Sequence, residues 1–221
     1  MSMISHVYIK DGKVIDELGN NWYFADTNST DITGVEDPFG GNNAYHLEGN
    51  HFLICDKLNN AKDSKFVSID FYTKVTKFCQ DGGSPLFDYF WSIGPKGTGY
   101  GIALSWYNNY LTTDNGAGLN AIVNLPSEDM LNKWVHIRMC IDAHNAIGKA
   151  EIKGKKITIP GMSSLAANTL SFSTLSNYIG TWTHGGRHLI NTATADYYDF
   201  KLYDSDIIGW NYDSKGAIVY Y

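Results

Sequence analysis

The chain predicts an all-β sandwich of two antiparallel sheets. Three observations carry this. Short runs of alternating apolar and polar residues fill the sequence, clusters of Gly, Asn and Asp separate them, and helical periodicity is nearly absent. A length of 221 residues suits one large β-sandwich with a core of its own. No internal repeat or low-complexity linker divides the chain, so a single domain over 1–221 is the economical reading.

Taken in order, 6–10 and 13–16 are strands flanking Asp11-Gly12, a pair suited to a tight primed turn. Gly19-Asn20 marks another turn, and 27–43 is polar and Gly-rich, a long loop. Strands over 44–47 and 52–55 surround Glu48-Gly49-Asn50. The clearest strand is 67–75: Val67, Ile69, Phe71, Thr73 and Val75 share one face, while Ser68, Asp70, Tyr72 and Lys74 share the other. Segment 134–142 alternates likewise, with Val135, Ile137, Met139 and Ile141 opposite His136, Arg138 and Asp142. The run 86–93 is apolar on both faces. Strands over 100–107 and 110–113 join through Asn108-Asn109, a pair that tolerates left-handed backbone. Strands over 150–152 and 156–159 pair across Lys153-Gly154-Lys155. Further strands cover 176–182 and 197–203, and hairpins at 6–16 and 210–220 flank a core of about 40–208. Helical turns are expected only at 127–132, opened by Pro126, and at 163–168.

The order of these segments resembles one family, the laminin-G-like or concanavalin-A-like jelly rolls of lectins and glucanases. Gly40-Gly41-Asn42-Asn43-Ala44-Tyr45-His46-Leu47-Glu48-Gly49 is similar to the family's first core strand and turn. Phe66-Val67-Ser68-Ile69-Asp70-Phe71-Tyr72 resembles the strand that follows, and Trp134-Val135-His136-Ile137 the central strand. Lys153-Gly154-Lys155 resembles the Asn-Gly-Lys hairpin, with Lys153 in place of Asn, and Asp199-Phe200-Lys201-Leu202-Tyr203 resembles the closing strand. The resemblance implies a two-sheet antiparallel jelly roll. An immunoglobulin-type sandwich, nearer 100 residues, would need two domains.

Charge excludes several partners. A net charge of −6 leaves no basic face for nucleic acid; the one basic cluster, Lys149, Lys153, Lys155 and Lys156, reads as a solvated edge. Cys55, Cys79 and Cys140 are too few and too scattered for a disulfide framework or a zinc ribbon. There is no apolar run long enough for a membrane span and no leader-like N-terminus. Asn28-Ser29-Thr30 is a glycosylation-type triplet that reads as chance.

For chemistry, the resemblance raises glycoside hydrolysis, which needs two cooperating carboxylates. The glucanases' Glu-x-Asp-x-x-Glu run is missing and Asp70 is alone on its strand, so no enzyme is expected. The resemblance also implies Ca²⁺, with Asp196 and Asp199 as ligands beside oxygens of the 48–50 turn; Tyr198 stands where relatives often carry an acid. Calcium wants six to eight oxygens. A sugar site would combine an aromatic face with a few polar donors. Trp182 with His184 and Arg187 fits that description, as do Tyr107 and Tyr110 at the Asn-Asn turn. Tyr72 does so beside Asp70, His136 and Arg138, where a solvated sheet with cross-strand charge pairs is an equal reading.

The expected function is a non-catalytic recognition or structural module with glycan or cell-surface polysaccharide as a ligand. Starting at Met without a leader, such a module suits a virion: a phage capsid decoration, head fibre or tail appendage, folded in the cytoplasm and working outside. Virion proteins or copies of itself would then be partners through the terminal hairpins. The alternative is a free-standing carbohydrate-binding module or lectin, and after it a glycoside hydrolase.

Overall fold

The computed structural model describes residues 2–59, 61–81, 84–95, 101–114, 119–143, 147–159, 171–182, 193–209, 211–212 and 218–219. In chain order the strands begin with β1 (Met3–Lys10), β2 (Lys13–Asp16), β3 (Trp22–Phe24), β4 (Tyr45–Leu47) and β5 (Leu53–Cys55). Next come β6 (Phe66–Lys77), the short β7 (Gln80–Asp81) and β8 (Ser84–Pro85), β9 (Asp88–Gly94), β10 (Ile102–Tyr107), β11 (Tyr110–Asp114) and β12 (Leu119–Asn124). A single helical turn, α1 (Ser127–Met130), follows Pro126. The remainder are β13 (Val135–Asp142), β14 (Ile147–Ile152), β15 (Lys155–Ile159), β16 (Ser176–Ile179), β17 (Thr194–Tyr203), β18 (Asn211–Tyr212) and β19 (Ile218–Val219). The helical turn expected at 163–168 lies outside the described residues.

Two large antiparallel sheets form the sandwich, beside two two-stranded ribbons, β7-β8 and β18-β19. An 8-stranded sheet runs β15-β14-β13-β6-β17-β1-β2, with β4 also on β17, and a 7-stranded sheet runs β12-β11-β10-β9-β16-β5-β3. The apolar alternation of β6 and β13 faces inward as the sequence predicts: Ile69, Phe71, Val75, Ile137 and Ile141 are all buried. They meet Trp91, Leu104 and Ile179 of the other sheet in one continuous core. Strand β9, apolar on both faces, is buried along its whole length.

Strands β3 and β12 were not expected from the sequence. The run Trp22–Phe24 is only 3 residues long, too short to show a period, yet Trp22 and Phe24 are core residues. The turns came out as read. Asp11 and Gly12 take φ 52° and 71°, and Asn108 and Asn109 take 47° and 70°. The β14–β15 turn is tighter than expected. Lys153 and Gly154 alone form it, with φ 49° and 74°, and Lys155 already pairs with Ile152.

The first hairpin is part of the large sheet. Strand β1 pairs along β17, with Met3 opposite Tyr203 and Val7 opposite Phe200. Asp16 anchors it by accepting hydrogen bonds from Ser5 Oγ, from Asn20 Nδ2 at 2.9 Å, from Trp22 Nε1 at 3.0 Å and from the Leu18 N–H at 2.7 Å. Among the described residues no helix is long and apolar enough to cross a membrane.

Candidate functional site

Antiparallel register turns the alternation of β6, β13 and β17 into rungs across the outer face of the 8-stranded sheet. One rung is charged. Glu151, Arg138, Asp70, Lys201 and His6 lie opposite one another on successive strands. Arg138 donates to Glu151 at 2.9 Å and to Asp70 at 3.1 Å. Lys201 meets Asp199 at 2.5 Å, and His6 bridges Asp199 and Glu17 at 2.7 Å each.

A second charged rung lies four residues along. The Lys74 ammonium sits 5.1 Å from the Trp134 ring centre and 2.9 Å from Asp196. Asp196 also meets His46 at 2.6 Å, and His46 lies 3.9 Å from Glu48.

Between them runs an aromatic rung. His136 stacks on Tyr72, ring centres 4.2 Å apart and nearly coplanar at 9°, and Tyr198 follows at 6.0 Å from Tyr72. Phe39 stands over both tyrosines edge-on, at 5.6 and 5.8 Å. It is 71% exposed, the most exposed large apolar residue among those described. Neither tyrosine hydroxyl makes a hydrogen bond within the described residues. His136 is fixed from behind by Asp70, 2.7 Å from its Nε2.

Phe39 is held rigidly. Asp37 is buried and accepts from the N–H groups of Phe39 (2.8 Å), Gly41 (3.1 Å) and Asn43 (3.3 Å) and from Asn43 Nδ2 (3.0 Å). Burial alone would raise its pKa, but these donors hold it below the usual carboxylate range. Tyr198 owes its position to an irregularity in β17. Tyr198 faces Tyr72 and Lys201 faces Asp70, so two residues of β17 oppose the single Phe71. The extra residue is Asp199, at φ 56°. Such bulges re-aim side chains.

Asp196 and Asp199, the calcium ligands expected from the resemblance, are spent on cations. Asp199 is lowered to about 2 by the His6 hydrogen bond and by Lys201, against the opposing effect of burial. Burial pushes Asp196 up, but His46 and Lys74 outweigh it and hold it low. Each carboxylate has one oxygen against a His and the other against a Lys. That donor set does not fit Ca²⁺, which needs free oxygens and is repelled by adjacent ammonium groups. Among the described residues no three His, Cys, Asp or Glu side chains group as metal ligands.

The sugar-site residues read from the sequence divide between the two sheets. Tyr72 is at the centre of the aromatic rung. Tyr107 stacks on Phe87 at 4.3 Å; Phe87 leads to Tyr89 at 5.8 Å, and Tyr89 to Trp182 at 4.9 Å. This row links Tyr107 and Trp182 on the outer side of the 7-stranded sheet. Tyr89 there is 1% exposed, and Ser92, Ser105 and Thr112 of that face are buried. Tyr110 projects at the β10–β11 turn, exposed. His184 and Arg187 lie outside the described residues. Sequence reasoning missed Phe39 and Tyr198. The signal for Phe39 was an aromatic enclosed by turn-formers in Asp37-Pro38-Phe39-Gly40-Gly41. Asp88 is buried within β9, where burial pushes its pKa up to about 7. Its Oδ1 accepts from the Cys79 N–H at 3.0 Å, and its depth puts it out of reach of a surface ligand.

No family model and no curated protein sequence matches the chain. Solved structures do. The receptor-binding domain of botulinum neurotoxin type G is similar with a TM-score of 0.60 at 16% identity, over 94% of this chain and 49% of that one. A Trypanosoma rangeli sialidase in complex with 2,3-difluorosialic acid gives 0.58 at 10% identity, over 93% and 31%. A heptameric SAP-like pentraxin from Limulus polyphemus gives 0.51 at 11% identity, over 66% of each chain. The chain spans about half the length of the toxin binding domain and about a third of the sialidase. Identities this low carry the fold and nothing of the ligand. The fold shared with them is the two-sheet antiparallel jelly-roll sandwich that the sequence predicts.

Proposed function

We propose that the protein is a non-catalytic carbohydrate-binding module whose ligand stacks on Phe39, Tyr72 and Tyr198. One observation carries this reading: an exposed Phe39, its loop tied down by Asp37, over two half-buried tyrosines whose phenol hydroxyls are free to exchange hydrogen bonds with sugar hydroxyls. Amphipathic rings give an apolar face for a pyranose and a polar rim for its edge. A receptor-binding domain and a sugar-bound sialidase share the fold, which makes carbohydrate the ligand class to test first. Hydrolysis is disfavoured by the chemistry of the face. Asp70 has one oxygen on His136 and the other on Arg138, so neither is left for acid, base or nucleophile work.

A glycan array followed by titration calorimetry tests the reading. Phe39→Ala and Tyr72→Ala should each weaken binding about tenfold, equivalent to about 1.4 kcal/mol. Retention of full affinity in both variants, with loss in Tyr107→Ala or Trp182→Ala, would move the site to the other sheet. The finer expectation, an appendage on a phage virion, rests on analogy with the fold family. It is tested by whether the protein co-sediments with particles from the same source.

A further inference from the structure

We infer that this face selects uncharged glycans and rejects sialylated or uronic-acid-bearing ones. The inference rests on the aromatic rung being the sugar site, and its argument is the charge around that rung. Lys74, Arg138, Lys201 and, opposite Glu151 on the edge strand, Lys156 are the permanent cations of the flanking rungs, and Lys74, Arg138 and Lys201 are each already paired with a carboxylate. All three Arg138 nitrogens are engaged, the last donating to the Ile207 carbonyl at 2.9 Å. Recognition of a sugar carboxylate draws on a free guanidinium or ammonium, and these rungs hold their cations elsewhere.

The balance of sign points the same way. Carboxylates in the two rungs outnumber the permanent cations six to four, since Glu17, Glu48, Asp70, Glu151, Asp196 and Asp199 all take part. His6 and His46, whose pKa their carboxylate partners raise, offset part of the difference. Asp37 adds a further negative charge under Phe39 itself. An acidic sugar on the rung would therefore meet a net negative surround, whereas a neutral sugar is indifferent to it and still gains the stacking and the phenol hydrogen bonds. Repulsion of this kind is screened by salt, which gives it a distinct signature.

The test is a glycan array carrying matched pairs, each neutral oligosaccharide beside its sialylated or uronic-acid counterpart. Titrations of the hits at 50 and 500 mM salt follow. Neutral members should bind with affinity unchanged by salt. Their acidic counterparts should bind at least tenfold more weakly, with a gap that narrows at high salt. Replacing the two outlying acids together, Glu17→Gln with Glu48→Gln, should narrow the gap at low salt while leaving neutral binding as it was; both side chains are more than half exposed, so folding is spared. An acidic glycan bound more tightly than its neutral partner, and lost in Phe39→Ala, would overturn this inference and leave the carbohydrate site standing. An array with no hits in either class would overturn the site itself, and the selectivity with it.

Discussion

A single buried carboxylate decides where the exposed ring of this protein points. Asp37 collects the amide hydrogens of a loop that would otherwise be free to move, and Phe39 is carried on that loop. Gly41 is the tight point. A Cβ there would lie 2.5 Å from Asp37 Oδ2 and 2.8 Å from Asn43 Nδ2, closer than such atoms approach. Gly41→Ala should therefore displace the Asp37 carboxylate and loosen Phe39, weakening glycan binding several-fold. The sheets do not depend on this loop, so the thermal midpoint should move by only a few degrees. Calorimetric binding and thermal melts on the same sample separate the two effects. This arrangement was scarcely legible in the sequence. Period-2 alternation reveals which strand residues share a face, so Tyr72 could be found. A loop residue such as Phe39 has no period, and its partners are chosen by the long-range folding of the loop onto the sheet.

At the scale of strands and turns, register does the organising. The outer face of β6 reads Asp70, Tyr72, Lys74, and pairing with β13 and β17 extends each into a rung of matching character. Cross-strand charge pairs of this sort contribute a few tenths of a kcal/mol each, to about 1 kcal/mol. Their larger consequence is to leave the two tyrosines of the aromatic rung between two rows of ion pairs, on the surface proposed to take the ligand. The β14–β15 turn shows the opposite case, a local misfit that the sheet tolerates. Lys153 takes φ 49° at a position where Asn is the common choice in two-residue hairpins. Its ion pair with Asp129, at 3.4 Å and largely exposed, offsets little of that strain. Lys153→Asn should stabilise the protein by about 0.5–1 kcal/mol, read as a rise in the urea midpoint at constant slope. The departure from Asn was visible in the sequence. That the turn is two residues and not three was not, because Lys155 is equally plausible in a loop or at a strand end until its partner Ile152 is known.

Across the whole molecule, the first strand closes the large sheet against the last long strand, and the His6–Asp199 contact locks that seam at 2.7 Å. Its dependence on pH has two limbs. The Asp199 hydrogen bond raises His6 above its ordinary 6.5, despite burial, so its contribution is complete below about 6.5 and lost as pH rises through the folded value. Asp199 is lowered from 3.8 to about 2, so its contribution is complete above 3.8 and lost as pH falls through about 2. Stability from this contact is therefore greatest between about 4 and 6.5, on the order of 1–2 kcal/mol. Urea midpoints measured from pH 2 to 9 should show both limbs flattened in Asp199→Asn, whereas His6→Ala should remove the upper limb and only shrink the lower one, because Lys201 still holds Asp199. Unchanged limbs in both variants would locate the titration at His46 and Asp196. The sequence displayed the strands and their two-sheet arrangement because alternation and turn residues are local signals. It showed the first hairpin only as a flanking one, since its pairing with β17 joins residues some 190 positions apart, and no local pattern encodes such a partner.

That seam also sets how the molecule responds to tension. Strands β1 and β17 are antiparallel neighbours, and Met3 lies opposite Tyr203, with the Ser2 N–H donating to Ser205 Oγ at 3.1 Å. A pull applied through residues 2 and 205 loads the β1–β17 ladder one bond at a time, as a zipper opens, and not all together in shear. The sheet gives way first at its outer hairpin, while the rungs on β6 and β13 bear none of the initial load.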